Sequence, residues 1–335
     1  MDNKTMVSIC CITYNQEKYI KQAIESFLMQ KTNFKYEIII HDDASTDNTA
    51  NIIKEYENKY PDIIKPIYQK ENQYSKGKSA LKATIDNATG KYIAFCEGDD
   101  YWSDNEKLQK QFNYMESHPE CSMCLHNTKQ HDLLNNSKDK KFNNWNQIHV
   151  MTQNEIFFGW NVHTSSYFIK RDYAILPVQF EKYWFGDYVY LTMAYYYGEL
   201  AVLPDVMSVY NFNNMDGITY KNYFDKTILA KNNQRKEYLI EYNKYTNNKF
   251  NEIVDSRINE IEFSNLILES DMVINTKEEF KLKKREIFSH NYYKTYIKNS
   301  NTIQNIKIYI KFSSYYIYKM YKIIKGIYKR RKNGA

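Results

Sequence analysis

Between residues 7 and 126 the chain alternates short apolar runs with amphipathic stretches, and few folds accept that rhythm. Residues 7–14 read as a buried strand, and 17–30 set Ile20, Ile24, Phe27 and Leu28 at helical spacing. A strand follows over 37–41. Ser45-Thr46-Asp47 then caps a helix over 48–60 that stops at Pro61. A strand over 63–68, a helix over 78–88 closing near Gly90 and a buried strand over 92–96 continue the series. It ends with a helix over 104–116, halted before His118-Pro119, and a strand over 121–126. Alternation at this pace predicts an α/β fold, a Rossmann-like and mainly parallel sheet flanked by helices, which is an architecture suited to nucleotides.

From 129 to 146 the pattern dissolves into polar residues, read as a loop. Beyond it, 159–171 is expected to be a strand, 186–197 a helix and 200–212 a strand pair pivoting at Pro204. From about residue 225 the chain reads as helical, without internal repeats. The five cysteines, Cys10, Cys11, Cys96, Cys121 and Cys124, read as reduced core residues of a cytoplasmic protein. Cys121-Ser-Met-Cys124 has the spacing of half a zinc site, but no second pair completes it.

The opening residues are short and polar, unlike a signal peptide, and no run approaches the roughly 20 apolar residues that span a bilayer. The net charge of +6 is uneven. After Glu286 there is no acidic residue, whereas eleven Lys and Arg follow, so the body carries more acids than bases. That distribution argues against a nucleic-acid-binding core and for a basic tail with its own task.

In an open parallel sheet, ligands bind beyond the carboxyl ends of the strands. The first strand ends in Thr13-Tyr14-Asn15, the second in Asp42-Asp43-Ala44-Ser45, and the fourth in Glu97-Gly98-Asp99-Asp100-Tyr101-Trp102. An acidic cluster there repels a diphosphate unless a divalent cation intervenes, and carboxylate oxygens suit Mg²⁺ or Mn²⁺. Each motif alone has a plainer reading: Gly-Asp-Asp as a turn, Asp42-Asp43 before Ser45 as helix-capping chemistry. Their succession at consecutive strand ends favours the joint reading.

The segments 8–15, 41–49 and 97–102 resemble the family 2 glycosyltransferases of the GT-A fold, over roughly residues 6–220. The resemblance implies a GT-A catalytic domain over 1–222, with a nucleotide-sugar half over about 1–128 and an acceptor half over about 150–222. A helical C-terminal region occupies 223–335. It implies a UDP-sugar donor, with Thr13, Tyr14 and Asn15 at the base pocket, Asp43 accepting from the base, and Lys76 or Lys78 at the diphosphate. The family's Asp-x-Asp motif falls on Glu97-Gly98-Asp99, so Asp99 and Asp100 are the candidate ligands for Mn²⁺ or Mg²⁺, with Glu97 for ribose or a metal-bound water. Asp187, in Gly186-Asp187, is the candidate catalytic base, and its other reading is a first-turn helix acid.

Trp160, Tyr183 and Trp184 are equally a sugar platform or core aromatics. His163 reads as a hydrogen-bonded strand histidine or an acceptor-side residue. Where many relatives carry a metal-proximal histidine, this chain has Asn211, Asn213 and Asn214. The Gln-x-x-Arg-Trp signature of processive synthases is absent, which favours transfer of one or a few sugars to a glycan or lipid-linked acceptor.

Over about 300–332 the sequence predicts one basic amphipathic helix, with Ile306, Ile310, Ile317, Met320, Ile324 and Ile327 on one face. Lys307, Lys311, Lys322, Lys325 and Lys329 lie opposite. It suits an anionic inner membrane leaflet, placing the protein peripherally at the cytoplasmic face, or else packing on the domain or a partner subunit; oligomeric state is left open. Two other functions fit the same sheet: a sugar-phosphate nucleotidyltransferase, which lacks its Gly-rich phosphate loop here, and a degenerate transferase domain serving as a membrane-bound scaffold.

Overall fold

A computed structural model describes residues 4–134, 139–183, 185–212, 228–297 and 303–323. Trp184, Asn213, Asn214, Lys298 and the tail from Ile324 onward therefore lie outside the described residues. The chain divides into two compact units, residues 1–225 and 226–335.

Unit one opens with β1 (Thr5–Thr13), α1 (Ile20–Leu28), β2 (Lys35–Asp42), α2 (Thr49–Lys59), β3 (Ile64–Tyr68), α3 (Ala80–Asp86) and β4 (Tyr92–Phe95). These four strands run parallel, with Ile9 opposite Ile38 on one side and Ala94 on the other. Val7, Ile9, Cys10 and Cys11 are all buried, because an inner parallel strand is covered on both faces and therefore reads as a continuous apolar run. One face of α1 packs Ile20, Ala23, Ile24 and Phe27 into the same core.

The unit continues with β5 (Tyr101–Trp102), α4 (Lys107–Ser117), β6 (Cys121–Asp132), β7 (Lys140–Lys141), β8 (His149–Val150), α5 (Gln153–Phe158), β9 (Phe168–Lys170), α6 (Arg171–Ala174), α7 (Gly186–Tyr197) and β10 (Glu199–Phe212). The sheet order is β3-β2-β1-β4-β9-β6-β10-β5, with β7 on β6 and β8 on β10. It is mixed: β9 is antiparallel to both β4 and β6, and β5 is antiparallel to β10. All five cysteines are free and buried, and burial pushes the Cys121 thiol up to about 11.

Three expectations are corrected. The strand expected over 159–171 shrinks to Phe168–Lys170. Before it, Gly159 stops α5, since a Cβ there would meet the Glu155 carbonyl at 2.4 Å, and His163 caps a 3₁₀ turn over Thr164–Ser166. The strand pair expected at 200–212 is one strand of 14 residues that absorbs Pro204 in a register shift between Leu203 and Val206. The loop expected from 129 begins later, because β6 stays paired with β10 to Asp132.

At the amino-terminal edge of the sheet a buried network ties the strands together. Glu37, 1% exposed, accepts from Ser8 Oγ at 2.6 Å and from Thr89 N and Oγ1 at 2.8 Å each, and pairs with Lys65. Gly90 N donates to Ser8 Oγ at 2.9 Å. Only glycine fits there, since a Cβ would lie 2.7 Å from Ser8 N. Burial opposes the charge on Glu37, but Lys65 and the hydroxyl and amide donors prevail and hold its carboxyl below the usual range.

Unit two is helical: α8 (Ile228–Tyr245), α9 (Asn251–Val273), α10 (Lys277–Ser289) and α11 (Ile303–Lys311), with a further helical stretch over 315–323. Thr276 and Glu279 form a capping box at the start of α10. The continuous tail helix is a correction, because the chain breaks after Lys311 and resumes at 315. Ile308, Phe312 and Tyr318 turn inward to a core with Phe263, Leu266 and Phe280. Lys311, expected on the face opposite the apolar stripe with the other lysines, is 8% exposed and pairs with Asp271 at 2.7 Å. The outer side of the two segments carries Tyr309, Ile310, Tyr316, Ile317, Met320 and Ile323, all exposed. Among the described residues no helix is long and apolar enough to cross a membrane.

Candidate active site

The loops after β1 and β2 are stitched together at the carboxyl edge. Asn15 N donates to Ser45 Oγ at 2.9 Å, Thr46 N donates to Asn15 Oδ1 at 2.7 Å, and Gln16 N donates to Thr49 Oγ1 at 2.8 Å. Asn15 and Ala44 adopt left-handed backbone, with φ of 52° and 62°. Non-glycine residues occupy that region sparingly, so the loop shape is held by its cross-links. Thr13 is buried, and Tyr14 stands out from the strand end at 43% exposure.

Asp43, 3% exposed, accepts from Gln73 N at 2.7 Å and Tyr74 N at 3.0 Å, while its own carbonyl receives Asn72 Nδ2. It thereby anchors the turn that carries Lys76 and Lys78. Both lysines are exposed, and Lys76 pairs with Glu71.

The acidic loop after β4 lies directly on the end of β1. Gly98 N donates to Ile12 O at 3.0 Å, and a Cβ on Gly98 would come within 2.9 Å of Thr13 Cβ and 2.6 Å of Gln16 Oε1. The glycine of Glu97-Gly98-Asp99 is thus a packing requirement. Thr13 Oγ1, Gln16 Oε1 and Glu97 Oε2 are buried without a hydrogen-bond partner. Orphaned polar atoms gathered at one edge mark a place where a ligand completes the bonding.

Two elements from the second half of the unit close on this loop. Asn211 of β10 donates its N to Asp100 Oδ1 at 2.9 Å and its Nδ2 to Asp99 O at 2.6 Å. The turn at 163–166 brings the Thr164 side chain to Glu97 and sets His163 Nδ1 3.7 Å from Asp100 Oδ2. Trp102 Nε1 and Gln111 Nε2 hold that turn through the carbonyls of Ser165 and Ser166, at 3.0 and 2.8 Å. One donor atom each from Glu97, Asp100 and His163 lies within 4.8 Å of the others, and Asp99 is next to them in the loop.

The electrostatics match that crowding. Burial, then the Asp99 charge, pushes Glu97 up to about 7, and Asp187 adds to the effect. Burial, then Asp99 and Glu97, raises Asp100 well above the carboxylate range, while burial holds His163 down to about 3. Carboxylates in such a state gain from a cation, and their oxygens suit a divalent ion such as Mn²⁺ or Mg²⁺. Asp187 is exposed in the first turn of α7, with its charge within reach of Glu97 and its carbonyl accepting from Tyr167 Oη at 3.3 Å.

On the far side of His163 an aromatic wall begins. Tyr210 stacks on the imidazole at 4.2 Å, and Trp160, 57% exposed, meets Phe142 edge-on at 5.1 Å and Tyr210 at 6.3 Å. Tyr183 is buried at 6% and belongs to the core. The sequence pattern gave no sign of Thr164, Gln111 or Phe142, which reach the site only through the sheet order.

A mainly parallel sheet with buried acids at its carboxyl edge, capped by loops from the second half, is the GT-A class of fold. The model for "Glycosyl transferase family 2" matches residues 8–175, and the chain belongs to that family. A protein of Mycobacterium tuberculosis is 35% identical over 222 residues, 66% of this chain and 62% of that protein, so this chain spans under two thirds of its length. The Escherichia coli "UDP-Glc:alpha-D-GlcNAc-diphosphoundecaprenol beta-1,3-glucosyltransferase WfaP" is 39% identical over 113 residues, covering 33% of this chain and 42% of its own. TarS 1-349 of S. aureus, solved with UDP-GlcNAc, shares the fold at a TM-score of 0.51 and 15% identity, covering 92% of this chain and 79% of that one.

Proposed function

We propose that the chain is an inverting, non-processive glycosyltransferase that moves a sugar from a UDP-sugar to a hydroxyl of a glycan or lipid-linked acceptor. One observation carries the reading: Glu97, Asp99 and Asp100 crowd the carboxyl edge with a buried oxygen unpartnered, and the charge of exposed Asp187 reaches Glu97. The two groups suit two halves of one displacement. Asp187 takes the acceptor proton as the hydroxyl oxygen attacks the anomeric carbon, and the bond to the diphosphate breaks on the opposite face. Asp99 and Asp100 would hold Mn²⁺ or Mg²⁺, which supplies charge stabilisation to the departing nucleoside diphosphate.

Around that centre Tyr14 lies against the uracil, with Thr13 and Asn15 shaping the base pocket. Asp43 keeps a lone pair on each oxygen for the base while it fixes the turn presenting Lys76 and Lys78 to the diphosphate. Trp160, with Phe142 and Tyr210, offers an apolar face to an acceptor sugar ring. The activity named for the E. coli relative and the UDP-GlcNAc of the S. aureus structure support a UDP-sugar donor and a role in polysaccharide synthesis.

The test is thermal unfolding with UDP, GDP or CDP, each with and without Mn²⁺, because a ligand of the native state raises the midpoint. The expected result is a Mn²⁺-dependent shift with UDP that Asp99→Ala abolishes and Asp187→Ala retains. Folded protein that responds to no nucleotide would favour the scaffold reading.

The exposed face of unit two favours attachment to an anionic inner leaflet. Ile310, Ile317, Met320 and Ile323 supply the apolar contact and exposed Lys307 and Lys319 the charge, at about 1 kcal/mol per basic residue near the surface. Because Phe312 and Tyr318 are core residues, the test substitutes outer positions and leaves the tail in place. Ile317→Glu with Met320→Glu is expected to abolish sedimentation with phosphatidylglycerol vesicles; unchanged sedimentation would refute the attachment.

A further inference from the structure

His163 sits against the acidic loop without a task in the displacement described above. It comes from the 3₁₀ turn before β9, more than sixty residues beyond the acids in the chain. Its side chain is 10% exposed, and its Nδ1 lies 3.7 Å from Asp100 Oδ2. Donors about 2.1 Å from one ion stand roughly 3 to 4.2 Å apart. The trio Glu97, Asp100 and His163, with donor atoms within 4.8 Å of one another, is therefore within an ångström or so of closing on a single cation.

The ring also shows the right nitrogen. Ser165 N donates to Nδ1 at 3.3 Å, which makes Nδ1 the unprotonated nitrogen and leaves the hydrogen on Nε2. That contact is long and exchangeable for a stronger one. Ser165 Oγ also contacts Nδ1, at 2.9 Å, but stands 2.8 Å from Ser208 Oγ and can turn its hydrogen there when a cation takes the Nδ1 lone pair. Tyr210 stacks on the ring at an interplanar angle of 25°. That aromatic face fixes the imidazole plane without engaging Nδ1.

We propose that His163 is a direct protein ligand of the divalent cation, joining Asp100 and its neighbouring acids from the opposite side of the site. The inference rests on the cation site of the proposed function and adds its selectivity. β10 places Asn211, a neutral amide, on the acidic loop, and the nitrogen donor is delivered from the turn before β9 instead. One imidazole among oxygens moves preference away from Mg²⁺, which favours all-oxygen shells, and toward Mn²⁺.

The experiment is pulsed electron paramagnetic resonance of Mn²⁺ bound to the full chain in the presence of UDP. Wild type is expected to show coupling to an imidazole nitrogen that changes pattern when only histidine is labelled with ¹⁵N. His163→Gln is expected to lose the coupling and to weaken Mn²⁺ binding at least about tenfold, with Mg²⁺ binding changed less. Bound Mn²⁺ without histidine coupling in wild type would overturn this proposal and leave the cation site standing. Wild type that binds no Mn²⁺ would overturn both. The wild-type labelling result decides the matter even if His163→Gln fails to fold.

Discussion

Glu37, buried, and Glu97, half-buried with its Oε2 enclosed, are carboxylates at opposite edges of one sheet, and the protein treats them in opposite ways. Glu37 has a lysine, two hydroxyls and an amide around it, and its acid is held below the usual range. Glu97 has Asp99 and Asp187 as neighbours, one oxygen without a partner, and an acid pushed up to about 7. The amino-terminal edge is satisfied by its own side chains and serves to lock β1, β2, β3 and β4 together. The carboxyl edge is left incomplete, and such local conflict is what a ligand site requires.

The largest effect that separates the two edges is expected from Asp100→Asn. Donor hydrolysis should fall about 10²–10³-fold, the scale of losing one electrostatic stabiliser of a leaving group. The metal-free thermal midpoint should hold or rise, since the amide still accepts from Asn211 N and can never become a second buried charge beside Glu97 and Asp99. A variant that keeps wild-type turnover breaks the assignment of this edge to function. Glu37→Ala should do the reverse. Removing it strands the buried Ser8 hydroxyl and breaks the bonds from Thr89 and half-exposed Lys65, at a cost of about 2 kcal/mol, with hydrolysis per folded molecule unchanged. Denaturant unfolding at wild-type stability would show that the network locks nothing.

Much of the first half was legible in the sequence because parallel inner strands are apolar throughout and their ends are abruptly polar. Thr13, Asp43 and Glu97 could be aligned at one edge from spacing alone. His163, Thr164 and Asn211 could not be joined to them, since only the order β4-β9-β6-β10 carries those residues across the sheet. The strand expected over 159–171 misread an apolar, β-branched run whose shape is set by a stop at Gly159 and by the His163 cap. In the tail, periodicity found the apolar stripe through Ile310, Ile317 and Met320. It is the outward one, because Ile308, Phe312 and Tyr318 fill the core and the helix breaks after Lys311.

A pH titration tests the same contrast through a slope of at most about 1.4 kcal/mol per pH unit. Glu97 keeps its proton to about 7 in the folded chain but releases it near 4.5 once unfolded. Between those values the folded form binds the extra proton, so this group makes metal-free stability fall as pH rises from about 4.5 to about 7, and nothing further is lost above that. His163 gives the opposite slope. Its folded value of about 3 against 6.5 means stability is lost as pH drops below 6.5. Glu97→Gln isolates the first contribution, and wild type minus variant should decline across that window. Mn²⁺ in the presence of UDP must displace the Glu97 proton, so its affinity should weaken toward about tenfold per pH unit below 7. A flat difference curve together with pH-independent Mn²⁺ binding would mean that Glu97 is as well satisfied as Glu37, and the distinction between the two edges would fail.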